Sequence, residues 1–454
     1  MQSATSGHGL TAQLVERALR VRYEDLPADV RRIAGDCLAD WLGCVFAGLD
    51  EPVSKLVAEV VKDEGGARQA TLIGLGCRVN LSQAALVNGT ASHALDYDDV
   101  NLALPGHLSV AIIPGLLALA EDREASAADF IAAFVAGYET ACRIGALVEP
   151  AHYANGFHAT ATIGSLGAAV ACAHLLKLSV IEASHAVGVA ATQAAGLKSM
   201  FGTMAKPLHA GMAAQAGLRS ALLAQKGFVS RADVLECAQG FAQVHGADFQ
   251  VNEALAEPMG GYHILGNIFK FHAACFSTHS TIEAVATLRR QHGLEAGHVV
   301  GIRIMAGEAC GICNIQAPTT SLEAKFSLRA AAAFALLGID TGRLDTWGRV
   351  TEEGVLSVID RVQIDLVSNM SLSESVVTVN TMDGRSLRLP LDSGVPLADK
   401  GQQSLRVADK FAAITTPLIG EARCRRILHQ LHGFERAGSA ATLLHDCLST
   451  PHRE

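Results

Sequence analysis

At 454 residues the chain is too long for one ordinary core, and two domains are expected. Half of its residues are hydrophobic, only 18% are charged, the net charge is −9, and Lys and Arg are scattered, which excludes the basic stripe of a nucleic-acid binder. The longest apolar run, residues 108–120, is broken by Pro114 and falls short of the roughly 20 residues of a membrane span, so no membrane partner is expected.

In chain order, the first 265 residues read as helix after helix. "TAQLVERAL" starts at a Thr11 cap. "LPADVRRIAGDCLADWLGCVFAG" has Pro27 near its first turn and a stop at Gly48. "SQAALVNGTASHALDYDD", "SVAIIPGLLALAED", "SAADFIAAFVAGYETACRIGALV" and "ATIGSLGAAVACAHLLKLS" continue the pattern. Small residues recur three or four apart, as at Gly164, Gly167 and Ala168, and let helix axes approach closely, as in the interior of a large bundle. Near residue 266 the pattern changes. "HVVGIRIMAG", "RVQIDLV" and "SVVTVNTMDGRSLRLPL" alternate in the manner of strands, the last around an Asp383-Gly384 turn, with helical segments between. The expected fold is mainly α with an α+β part: an all-helical domain over residues 1–265 plus 399–454, and an α+β domain over 266–398.

Polar residues gather at few places in this apolar chain. "HALDYDDV" sets Asp96, Asp98 and Asp99 beside His93. If residues 83–97 are helical, His93 and Asp96 share an inward face, while Asp98 points the other way and, with Asp99, stands at the rim or is structural. A metal site, an acid/base group, a substrate clamp and a solvated helix end all fit this stretch. His107 follows in a loop. His158 sits between a glycine turn and a small-residue helix. Pro207 suits a first helical position, which places Lys206 at the N-cap and His209 in the first turn. Two helices thus begin with cationic or cationisable side chains. That is unfavourable at a positive helix end unless an anion binds there. Lys270, Cys275 and His279 lie at the expected domain junction, where ligand clefts are common.

Eleven cysteines lack framework spacing and read as reduced thiols. The lone CxxC, Cys310 to Cys313, is weak as a metal motif; with Cys275 it offers three thiolates for an iron–sulfur cluster, the less favoured reading. No GxGxxG in strand-turn-helix context, P-loop, GxSxG or HExxH occurs. The N-terminus carries no leader pattern, so a cytoplasmic location is expected.

Taken in order, "VNGTASHALDYDDV", "GFHATATIGSLGAAVA", "GTMAKPLHAGMAAQAG", "KFHAACFSTHSTIEA" and "LEAKFSL" resemble the landmarks of the MmgE/PrpD family. Its activities include dehydration of 2-methylcitrate, decarboxylation of cis-aconitate and epimerisation of iminodisuccinate. The resemblance implies a helical domain with a smaller α+β lid, a homodimer and no cofactor or metal. It makes Asp96, His107, His158 and Lys206 the catalytic core, with Lys206, His209, Lys270, Cys275 and His279 around the substrate. Val100 stands where many members have Thr or Ser, and Cys275 where the decarboxylase has a histidine, which points to a different acid. The expected function is a cofactor-independent lyase or isomerase that moves a proton next to a carboxylate of a small di- or tricarboxylic acid. Lysines would hold carboxylates, and two histidines would transfer the proton.

Overall fold

Ten α-helices precede residue 226 in the computed structural model, which describes residues 9–247, 250–434 and 438–447. They are α1 (Leu10–Leu19), α2 (Ala28–Gly48), α3 (Pro52–Glu64), α4 (Leu81–His93), α5 (Leu108–Asp122), α6 (Ala127–Val148), α7 (Ala151–Ala154), α8 (Ala159–Leu175), α9 (Val180–Ala191) and α10 (Ala205–Gln225). Their starts follow local chemistry. Pro27 precedes α2 and Pro52 opens α3, where a missing N–H costs nothing. Asn80 and Gln83 form a reciprocal capping box on α4. Thr11, expected as a cap, lies inside α1, whose N-cap is Gly9. Its hydroxyl is drawn instead to Glu236 Oε2, at 2.5 Å, and accepts the Leu235 amide.

The core of this part is where α10 runs along α4 and α8, and α8 along α5 and α6. Small residues make that possible. A Cβ added to Gly89 of α4 would stand 2.7 Å from Gly211 Cα on α10, and one added to Gly211 would stand 2.2 Å from the Leu86 carbonyl oxygen. Gly164 and Gly167 of α8 face Ala111 and Ala141 in the same way. Helix α6 is long and apolar enough to cross a membrane, but 94% of its apolar window is buried inside the protein, where it serves as a core helix.

Two short antiparallel pairs complete this unit: β1 (Ala70–Leu72) with β2 (Cys77–Val79), and β3 (Val100–Asn101) with β4 (Asn267–Ile268). Short helices α11 (Phe241–His245) and α12 (Val251–Leu255) lead to β4. The chain divides into Met1–Phe269 with Leu397–Glu454, and Lys270–Pro396. A boundary drawn at residue 266 would put β4 in the second unit; its pairing with β3 keeps it in the first.

The second unit contains α13 (His279–His292), β5 (Val299–Gly307), α14 (Ser321–Lys325), α15 (Leu328–Leu337), α16 (Glu353–Ile359), β6 (Val362–Val367), β7 (Glu374–Thr381) and β8 (Ser386–Asp392). Its sheet has the order β6-β5-β7-β8, parallel between β5 and β6 and antiparallel elsewhere. Asp383-Gly384 lies in the β7–β8 hairpin turn, and Gly384 takes the positive φ (83°) the turn requires. Helix α13 packs on β7 and β8. The chain then returns to the first unit as α17 (Lys400–Ile419), α18 (Glu421–His432) and α19 (Ala440–Cys447), with α17 lying along α2.

Candidate active site

Four helix ends carry the polar cluster of the first unit. His93 is the last residue of α4, and His107 and His158 are the residues immediately before α5 and α8. Helix α10 begins at Ala205, so Lys206 sits in its first turn rather than at the N-cap, and Pro207 follows where its missing N–H is still harmless. His209 lies one turn further on. The backbone of His158 is held by a short bridge: its amide donates to the Gly196 carbonyl, 3.0 Å, and Phe157 pairs with Leu197. The His107 amide donates to Thr160 Oγ1, 2.9 Å, which ties the start of α5 to that of α8.

The acidic stretch does not continue α4. The helix stops at His93 with Ala94 as C-cap, because carboxylates at a helix C-terminus oppose its dipole. Asp96 instead adopts a left-handed turn, φ 51°. The helical expectation for residues 83–97 therefore inverts the roles of the acids. Asp96 is the half-exposed one, and Asp98, expected at the rim, is fully buried. Asp98 Oδ1 lies 2.8 Å from His93 Nδ1, and its Oδ2 lies 2.8 Å from His107 Nδ1. His107 Nδ1 is also 2.9 Å from the Asp99 carbonyl oxygen. Every partner of these two ring nitrogens is an acceptor, so both carry the proton, and each Nε2 is left with its lone pair.

Burial sets the charges. His93 is pushed down to about 4 by burial, with Lys206 adding to the effect and Asp98 opposing it. His158 is lowered further by burial, reinforced by His93 and Lys206. Burial and then Lys206 lower His209. Asp98 resists its own burial: His93 and His107 beside it hold it well below the usual carboxylate range. An ionised Asp98 thus accepts from the His93 ring. Nε2 of His93 and of His158 is buried and takes no hydrogen bond among the described residues, a cost of ~1–3 kcal/mol per group that functional sites tolerate.

The remaining members lie around these rings. His158 Nδ1 is 3.1 Å from His209 Nδ1, and the His93 and His158 rings stack with centroids 6.1 Å apart. Lys206 Nζ is 2.8 Å from Asp96 Oδ1, which is also 3.5 Å from His107 Nε2. Three helix N-termini thus bring Lys206 and basic or neutral rings together, an arrangement suited to an anion. His93, Asp96, Asp98 and His107 each offer one atom within 4.8 Å of the others, close enough for a metal ion by distance. The chemistry fits poorly. The Lys206 ammonium, 2.8 Å from Asp96 Oδ1, already neutralises that carboxylate where a metal ion would need it.

Lys270, Cys275 and His279 belong to the second unit. Lys270 and His279 are buried there, and burial, with His272 and Lys270 beside it, keeps His279 well below the ordinary histidine value. Cys275 hydrogen-bonds the Cys313 thiol, an interaction that, together with burial, raises Cys313; burial raises Cys310, whose Sγ reaches the Leu372 carbonyl, 3.4 Å. Burial thus disfavours the thiolate form at Cys310 and Cys313.

Behind the site lies a layer of buried acids. Lys410 Nζ bonds Asp40 Oδ1 and the Tyr97 carbonyl, both at 2.6 Å. Asp99, which accepts Ser109 Oγ at 2.8 Å, is raised to about 8 by burial and by Asp40 and Asp98. Folded Asp99 keeps a proton that the unfolded chain has already released, so stability falls as pH rises toward 8. His93 has the opposite sign, but its contribution is complete by pH 6.5. Between pH 6.5 and 8 Asp99 should account for a loss of about 2 kcal/mol, beside smaller losses of the same sign from Asp36 and Glu139, both raised to about 7, and Asp99→Asn should make the decline shallower. Urea unfolding at the two pH values measures it; an equal decline in the variant would remove Asp99 as the cause.

A model of the MmgE/PrpD N-terminal domain matches residues 12–254, and one of the MmgE/PrpD C-terminal domain matches residues 272–432. Among curated proteins, the cis-aconitate decarboxylase-like protein oryM of Aspergillus oryzae is 32% identical over 305 residues, 64% of this chain and 63% of that protein. The match thus spans less than two thirds of that relative's length. A cis-aconitate decarboxylase of Aspergillus terreus is 25% identical over 491 aligned positions, covering 98% of this chain and 97% of its own. The Homo sapiens cis-aconitate decarboxylase is 29% identical over 305 residues, 63% of this chain and 59% of that protein.

Proposed function

The chain belongs to the MmgE/PrpD family, and from that premise we propose that it is a carboxylic-acid dehydratase or decarboxylase that works by acid–base chemistry without a cofactor. The observation that carries this is the bridging Asp98, with two imidazoles oriented on it and Lys206 beside them. The substrate is a small di- or tricarboxylic acid. Lys206 and the helix N-termini hold its carboxylate, and an electron pair arriving at the carbon next to that carboxylate spreads into it as an enediolate. In dehydration the base takes the proton from that carbon and hydroxide leaves with a proton from the acid. In decarboxylation carbon dioxide leaves and the acid protonates the carbon. His158 and His107 are the proton-transfer pair, as the family resemblance implies, and Asp98, which touches His107 and His93, is the positioning residue of His107.

The test is to assay EDTA-treated protein against citrate, 2-methylcitrate and cis-aconitate. Turnover of one of them should survive EDTA, and Lys206→Ala should lower its kcat/KM by about 10- to 100-fold, the worth of a charged hydrogen bond. Loss of all turnover with EDTA overturns the cofactor-free mechanism. Tight binding without turnover across the panel overturns the enzyme in favour of a carboxylate-binding protein.

A further inference from the structure

A second cleft, of about 360 Å³, opens in the first unit between α1, the segment that follows it, and α6, and shares no residue with the histidine cluster. At ~30 Å³ per water it has room for about a dozen waters. One wall is apolar: Leu14, Ala18, Leu26 and Ala136 line it. Four arginines also line the cleft; Arg20 and Arg22 pair with Glu16 and Asp25, which leaves the guanidiniums of Arg143 and Arg17 to Glu257. Arg143 is almost fully buried and is fixed by the Ala254 and Ala256 carbonyls, which accept its Nη1 at 3.0 and 2.7 Å. Its Nε is buried and donates to nothing among the described residues. Arg17 reaches in from α1.

Between the two guanidiniums lies the carboxylate of Glu257, bonded through Oε1 to Arg17 and 3.5 Å through Oε2 from Arg143 Nη2. Glu257 itself is open to solvent, with 62% of its side chain exposed. The other acid deep in the cleft, Glu139, commits its oxygens to the His263 and Ile264 amides, at 2.9 Å each, and burial lifts it to about 7. Two buried or half-buried guanidiniums therefore share one exposed, rotatable carboxylate, with an N–H to spare and an apolar wall nearby. That is how a protein recognises a carboxylate attached to a hydrocarbon body.

We propose that this cleft is a second, non-catalytic binding site for a small carboxylate with an apolar body, and that Glu257 is its internal placeholder. The incoming carboxylate takes the place of Glu257 between Arg17 and Arg143, and its hydrocarbon lies against Leu14, Ala18, Leu26 and Ala136. Neutralising the placeholder should tighten binding, since the ligand then competes with no anion.

Calorimetric titration of the full-length protein with hexanoate, and with acetate as the short control, tests this. Hexanoate should bind in the wild type and in Lys206→Ala alike, about tenfold or more tighter than acetate. Arg17→Ala, at a half-exposed position on α1, should weaken it about tenfold or more, and Glu257→Gln should tighten it several-fold. The proposal fails if Lys206→Ala removes all binding, if Arg17→Ala leaves it unchanged, if Glu257→Gln does not tighten it, or if acetate binds as well as hexanoate.

Discussion

Replacing Asp98 with Asn should lower kcat by about 10³- to 10⁴-fold while leaving the fold intact. Asn has the same shape and fits the same buried site, so the variant tests charge and hydrogen-bond direction. In the wild type Oδ1 accepts from His93 Nδ1, and Oδ2 stands 2.8 Å from His107 Nδ1, whose hydrogen bond goes to the Asp99 carbonyl. Asn offers one acceptor oxygen and one donor group. One ring then meets a donor at Nδ1, must shift its proton to Nε2, and loses the lone pair that the chemistry uses. A comparable tautomer error in serine proteases costs about 10⁴ in kcat. Steady-state kinetics beside a thermal melt separates this from unfolding; a well-folded variant within tenfold of wild type would show that the bridge is not a catalytic support.

His158→Gln should cost about 10²- to 10⁴-fold in kcat/KM, the usual worth of a positioned proton-transfer group. The pH profile provides the second readout. Burial and the neighbouring His93 and Lys206 hold His158 below the ordinary histidine value, so it stays neutral and able to accept a proton in mildly acidic solution. Activity should therefore persist below pH 6.5, and the acid limb should lie beneath the normal histidine range. A limb at or above 6.5, or a Gln variant close to wild type, would assign the base elsewhere.

The helical first part and the hairpin around Asp383-Gly384 were legible in the sequence because period and turn chemistry are local. The helix starts at His158 and Lys206 were legible too, although Lys206 falls inside the first turn of α10 and not at its N-cap. The acids were misjudged because a helical period was carried past the true helix end. Yet the opposition between "DYDD" and the α4 dipole was itself the sign that the helix stops before those residues. Once Asp96 turns left-handed, spacing along the sequence no longer says which carboxylate goes inward. The joining of His93 and His107 through Asp98 depends on where α5 begins relative to α4, a relation set by packing that no local rule contains. The Arg17–Glu257–Arg143 bridge spans well over 200 positions of sequence and gives no local signal.

The glycine contact between α4 and α10 also has a consequence for how this protein can evolve. Gly89 is about one turn from His93, and Gly211 little more than one turn from Lys206. The crossing thus acts as a gauge block between two helices that each carry a site residue at the nearby end. A methyl group there would widen the gap by an ångström-scale step, which is the error that separates productive from unproductive geometry. Substitutions at these two positions should therefore be selected against on turnover as strongly as on stability. The substrate range is freer to drift through residues that touch neither helix.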